Sequence, residues 1–125
     1  MISLFLVMAG GALGAGARHL TGRLMIALLG HGYPWGTLTV NLVGGLLMGL
    51  LVGGLARLSV PGEGWRLFLS VGILGGFTTF SSFALDTVTM MERGDLVLAL
   101  GYALMSLIGS VLAVFAGLWF VRGLA

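Results

Sequence analysis

Apolar residues run along this chain in four long stretches, broken only where glycine, proline and charge gather. The uncharged runs are Met1 to Ala17, continuing past Arg18 to about Leu29, then Trp35 to Ala56, Leu67 to Leu85, and Leu96 to Val121. A hydrocarbon core about 30 Å thick needs about 20 apolar residues of helix, and each run has that length. The pattern therefore predicts an all-α, integral membrane four-helix bundle. Its helices fall at about 2–29, 35–57, 66–91 and 95–122, in a single transmembrane domain over residues 1–125. The connectors hold turn chemistry: Gly30-His31-Gly32-Tyr33-Pro34, Val60-Pro61-Gly62-Glu63-Gly64 and Glu92-Arg93-Gly94-Asp95.

Composition removes the soluble alternatives. Of 125 residues, 58% are hydrophobic and 8% charged, with mean hydropathy +1.14, far from the roughly 25% charged of an ordinary soluble domain. No cysteine is present, so neither disulfides nor thiolate metal sites enter the argument. The net charge of +2 comes from six arginine or lysine residues, all arginine, against Glu63, Asp86, Glu92 and Asp95. That is too sparse for a nucleic-acid surface, and the expected partners are membrane lipid, other subunits and small solutes. The first run contains Ala15-Gly16-Ala17, which resembles a signal-peptide cleavage site. It lacks a basic leading region, and apolar sequence resumes at once, so a retained helix is expected.

Arginine placement bears on orientation. A four-helix hairpin puts Arg57, Arg66 and Arg122 on one side and Arg18, Arg23 and Arg93 on the other, which leaves no bias to fix one topology. Insertion both ways, and with it an antiparallel homodimer, is the natural expectation. Glycines recur at four-residue spacing in Gly10 and Gly14, in Gly45, Gly49 and Gly53, and in Gly72 and Gly76. Such stripes let helix backbones approach closely in lipid.

Polar groups within hydrocarbon are costly unless protein or a wet cavity satisfies them, so the mid-span polar residues are the informative ones. Thr37 and Asn41 share a face of the second helix. The Asn41 carboxamide suits either an anion or a bond between two helices. In the third run, Gly75-Gly76-Phe77-Thr78-Thr79-Phe80-Ser81-Ser82-Phe83 weakens helix propensity at the middle of the span. A broken third helix is expected there, freeing backbone carbonyls at mid-membrane depth. Phe80 and Phe83 share a face beside hydroxyls, where the positive edge of a ring can meet an anion. Tyr102, Ser106 and Ser110 form a polar ladder on the fourth helix. Arg18 continues the Gly10 and Gly14 face, and either snorkels to the interface or sets a positive potential at a vestibule.

In this order, these residues resemble the Fluc (CrcB) fluoride channel family. The matching stretches are Gly11 to Arg18, Gly36-Thr37-Leu38-Thr39-Val40-Asn41-Leu42-Val43-Gly44, Gly75 to Phe83, and the Tyr102, Ser106 and Ser110 ladder. The resemblance implies a fluoride-selective channel for passive efflux of cytoplasmic fluoride, giving fluoride resistance. It implies an antiparallel, dual-topology homodimer with two pores in a bacterial or archaeal plasma membrane. It also implies a structural sodium ion at the dimer centre, held by the backbone carbonyls of Gly75 and Thr78 from both subunits. The fluoride pore would comprise Asn41, Phe80, Phe83, Thr37, Thr79, Ser82, Tyr102, Ser106 and Ser110, with Arg18 at the vestibule. His19 departs from the family, which commonly places an aromatic after the arginine.

Two other classes remain at this level. A proton-coupled small-molecule exporter of the four-helix, dual-topology type needs a deep carboxylate, for which Asp86 is the one candidate. A non-transporting membrane scaffold would use the glycines and hydroxyls for packing alone. An enzyme is not expected, because His19 and His31 lie near the first loop with no carboxylate placed beside them in the sequence.

Overall fold

The computed structural model describes residues 1–58 and 63–123, and among them every regular element is helical. Helix α1 spans Ile2–Leu29 and α2 spans Trp35–Leu58. The third span opens with α3, Glu63–Arg66, passes through a π-helix at Leu67–Leu74 and ends its first arm with α4, Gly75–Phe77. Its second arm is α5, Phe80–Glu92, and the chain returns through α6, Leu96–Gly123. All four spans are long and apolar enough to cross a membrane. Of the second connector, Val60, Pro61 and Gly62 lie outside the described residues.

Local chemistry sets the helix ends. At Gly30, φ of 82° takes the chain out of α1 while its N–H still donates to Ile26 O at 2.8 Å. A residue with a Cβ is strained in that left-handed conformation. Pro34 then places its carbonyl to accept from Leu38 N at 3.2 Å, starting α2. Gly94, at φ 87°, makes the turn between α5 and α6, and Asp95 N returns to Met90 O at 3.0 Å.

The spans associate in two glycine-lined pairs. Gly14 of α1 presses on the carbonyl of Ile73 and lies so close to Phe77 N that an added Cβ would sit 2.8 Å from it. Thus α1 packs on the π-helix and α4 of the third span. Along the other pair, a Cβ at Gly117 of α6 would meet Leu50 N of α2 at 2.6 Å, and one at Gly45 would meet Ser110 O at 2.9 Å. The pairs touch where Gly36 nears the Cα of Gly22, and α5 lies against α6. Burial is concentrated around Leu38, Met90, Ala99 and Tyr102, with Tyr33, Leu42 and Phe83 against them. Elsewhere Leu13, Leu20, Leu107 and Phe115 point outward, as suits surfaces that meet lipid or another subunit.

The third span is broken where the sequence predicts. Thr78 (φ −84°, ψ 159°) and Thr79 (φ −153°, ψ 120°) are extended, between α4 and α5. The π-helix just before the break carries no advance signal in its residues. Its wide turn is closed by Gly75 N–H donating to Ser70 O, five residues back.

Candidate functional site

The break is held open by side chains that take over helical hydrogen bonds. In an unbroken helix Thr79 N–H would donate to Gly75 O and Ser82 N–H to Thr78 O. Instead, Thr79 N–H donates to Asn41 Oδ1 at 2.8 Å, and Ser82 N–H donates to Thr79 Oγ1 at 3.1 Å. Thr79 thereby caps α5 with its own hydroxyl. The carbonyls of Gly75 and Thr78 lose their helical donors as a result. Asn41 grips Thr79 from both sides, since its Nδ2 also donates to Thr79 O at 3.0 Å. On the other arm Thr78 N–H and Oγ1 both donate to Leu74 O at 3.0 Å. Gly44 leaves room for the Thr78 methyl, against which a Cβ there would collide. Arg18 reaches the same segment from α1, with Nε donating to Gly76 O at 3.2 Å.

Beside the break lies a cavity of about 380 Å³, with Asn41, Thr79, Phe80, Phe83, Ser106 and Ser110 in its wall. It joins side chains from α2, α5 and α6 at mid-span. The Phe80 and Phe83 rings are 5.5 Å apart at 47°, and Phe80 is 79% exposed on the single chain. Ser106 is buried, yet its hydroxyl has no hydrogen-bond partner among the described residues. An unpaired buried hydroxyl costs about 1–3 kcal/mol, so Ser106 is a point of unmet polar demand among the described residues.

Two further cavities lie between this region and the end of the bundle that carries the first loop. Thr79 also borders a space of about 260 Å³ whose wall includes Arg18, His19, Arg23, Thr37 and Ser82. Thr37 in turn borders a cavity of about 300 Å³ walled by His31, Tyr33, Asp86, Thr89 and Arg93 among others. Polar side chains thus border spaces at successive depths between the loop and the break. Thr37 and Asn41, which share a face in the sequence, line different ones.

The hydroxyl ladder is less uniform in space than in sequence. Ser106 and Ser110 face the cavity at the break, whereas Tyr102 is fully buried and donates from its hydroxyl to Asp86 Oδ2 at 3.1 Å. Its ring lies 5.4 Å from Phe83 and meets Tyr33 edge-on at 5.5 Å. Tyr33 and Trp35, 4.6 Å apart, extend this aromatic file from Phe80 to the loop. Burial pushes the Tyr33 phenol above its ordinary range, so it stays a neutral donor at the mouth. Sequence reasoning missed Tyr33 and the Tyr102 to Asp86 bond. It also found no carboxylate for the histidines, whereas folding brings Asp86 into the cavity that His31 lines.

Among the described residues no group of three or more histidine, cysteine, aspartate or glutamate side chains could hold a metal ion. The carbonyls of Gly75 and Thr78 are neutral oxygens released from their helical donors in the broken segment. Hydroxyls, an amide and ring edges in these cavity walls suit a small anion.

Known proteins align with nearly the whole chain. The family model described as CrcB-like protein, Camphor Resistance (CrcB), matches residues 5–118. A relative from Sphingopyxis alaskensis, named fluoride-specific ion channel FluC, is 56% identical over 124 residues, covering 99% of this chain and 98% of its own length. Another of that name, from Mesorhizobium japonicum, is 52% identical over 124 residues, covering 99% of both chains. A third, from Caulobacter vibrioides, is 48% identical over 123 residues, covering 98% of this chain and 97% of the relative.

Proposed function

The chain belongs to the CrcB-like family, and on that premise we propose that it is a fluoride channel through which cytoplasmic fluoride leaves the cell passively. It is a multi-pass cell membrane protein and acts as a conduit, not as an enzyme. The observation in this chain that carries the reading is the break in the third span beside a cavity walled by Asn41, Phe80, Phe83, Ser106 and Ser110.

The chemistry fits the ion. Fluoride is small and strongly hydrated, so a selective path must replace its water with several close donors while binding weakly enough to let it leave. Thr37 stands at the vestibule, and Thr79 and Ser82 lead inward, with Arg18 bonded to the third span beside the break. At the break the remaining Asn41 N–H, the hydroxyls of Ser106 and Ser110, and the ring edges of Phe80 and Phe83 replace the ion's hydration. Tyr102 holds Phe83 in place from behind through ring contact, anchored by its bond to Asp86.

The functional unit of this reading is an inverted homodimer embedded in lipid, each copy being one transmembrane domain. The exposure of Phe80 at mid-span and the even division of arginines support it. A sodium ion at the dimer centre would be held by the carbonyls of Gly75 and Thr78 from both copies. Such an ion supplies a fixed positive charge between the two arms. The diverted donors of Thr79 and Ser82, which leave these carbonyls without helical partners, support that assignment.

Fluoride-electrode recording from proteoliposomes tests the function, with chloride as the competing anion. Fluoride efflux far faster than chloride efflux is expected, and the Phe80→Ile variant should lose most of it while remaining folded. Equal passage of both anions would remove the selectivity claim, and unchanged flux in Phe80→Ile would remove the ring-edge role.

A further inference from the structure

We infer that Arg18 is a positioning residue, acting through its bonded Nε on the broken third span and not chiefly through its charge on the approaching anion. The inference rests on the fluoride-channel reading and adds to it how the break is braced.

The helix break strands several carbonyls at once. Besides those of Gly75 and Thr78, the carbonyl of Gly76 would ordinarily accept from Phe80 N–H, the first residue of α5 beyond the extended pair. Arg18 Nε takes that place at 3.2 Å. Gly76 is thus committed to a side chain, while the carbonyls of Gly75 and Thr78 are left to turn elsewhere. Geometry also constrains the arginine. It lies about 16 Å from the Leu29 end of α1 at 1.5 Å per residue, deep in the span. Its own face of α1 is seated on α4, because a Cβ at Gly14 would lie 2.8 Å from Phe77 N and one at Gly76 would lie 2.6 Å from Gly11 O. Close backbone contact therefore fixes where Nε stands relative to Gly76. The brace from α1 is matched across the break by the Asn41 grip from α2. The two arms are held by one polar side chain each, from different helices.

Side-chain topology separates the two roles of Arg18. A glutamine amide nitrogen is the same number of bonds from Cα as arginine Nε, so Arg18→Gln keeps a donor in place and removes the charge. Arg18→Lys keeps the charge but puts carbon at that position and moves the nitrogen one bond outward. A brace predicts that glutamine is the better replacement. A charge that gathers anions predicts lysine, with a defect that depends on salt because such steering is screened.

The experiment measures fluoride efflux from proteoliposomes for the wild type, Arg18→Gln, Arg18→Lys and Arg18→Met at low and high ionic strength. The same proteins are melted in detergent with sodium or N-methylglucamine as the cation. Arg18→Gln should keep efflux within about threefold of wild type at both ionic strengths and keep any sodium-dependent rise in melting temperature. Lysine and methionine should each lose tenfold or more and lose that rise. Any other order overturns the inference, including equal loss in glutamine and lysine or failure of the glutamine variant to fold, since a neutral donor is claimed to suffice. Wild-type vesicles that pass no fluoride would instead remove the channel reading, whatever the variants' melting shows.

Discussion

At the scale of single residues, the site depends on side chains that replace backbone hydrogen bonds, and Asn41 does so in both directions. Its Oδ1 accepts from Thr79 N–H and its Nδ2 donates to Thr79 O. Aspartate there keeps the acceptor but sets a carboxylate oxygen against the Thr79 carbonyl. Asn41→Asp should therefore cost about 1–3 kcal/mol at neutral pH, read from melting in detergent. The deficit should shrink as pH falls, because the protonated acid regains a donor, and a deficit that grew with acidification would contradict the grip. The sequence made Asn41, Phe80, Phe83, Ser106 and Ser110 legible because mid-span polar and aromatic residues stand out against an apolar background. It did not reveal that Arg18 meets Gly76 or that Tyr102 meets Asp86. Those partners lie 58 and 16 positions away, and only the packing of helices brings them together.

At the scale of elements, a run of glycines and hydroxyls was enough to foretell the break, since each lowers helix propensity and a carboxamide stands ready on a neighbour. The π-helix at Leu67–Leu74 was not foretold, because leucine, valine and isoleucine suit an ordinary apolar helix equally well. The glycine stripes were legible as packing faces, though not which face meets which. The structure separates glycines that touch from those that do not. A Cβ at Gly14 would strike the Ile73 carbonyl and the Phe77 backbone, neither of which can swing aside as a side chain can. One at Gly54 would meet nothing within 4 Å. Gly14→Ala should destabilise the protein by about 1–3 kcal/mol through overpacking, and should slow fluoride efflux by displacing α4. Gly54→Ala should be neutral or stabilising by up to about 1 kcal/mol, through the gain in helix propensity. Melting and flux measured side by side check both. Equal effects of the two substitutions would mean that close contact with α1 does not position the break.

At the scale of the whole molecule, the single chain leaves much of the proposed site uncovered. Phe80, which lines the cavity at the break, is 79% exposed, and large apolar side chains cover the outside from Phe5 to Phe120. Lipid accounts for most of these, but not readily for an aromatic beside unpaired hydroxyls and stranded carbonyls at mid-span. On the proposed reading an inverted second copy would cover them, since the chain gives the membrane little reason to choose a direction. Arg57, Arg66 and Arg122 stand at one end, against Arg23 and Arg93 at the other with Arg18 deeper in the span. Several of these charges are locally engaged, Arg57 with the Val121 carbonyl at 3.0 Å and Arg93 with Asp95 at 3.4 Å. Such bonds form in the folded chain whichever way it faces, so they do not break the tie. Because the sequence has no cysteine, one introduced thiol reports orientation without background. Gly32 lies exposed in the first loop, and a Cβ there meets nothing within 4 Å. In sealed vesicles of Gly32→Cys, a membrane-impermeant maleimide should label about half of the chains from outside and the rest only after permeabilisation, as equal insertion both ways requires. Adding Glu92→Arg, an exposed position at the same end, should drive labelling toward one extreme and abolish flux when that variant is expressed alone. Flux should return on co-expression with a variant biased the other way. Complete labelling of the unbiased protein from one side would show a single orientation, and the inverted pair would then be wrong even if fluoride still passed.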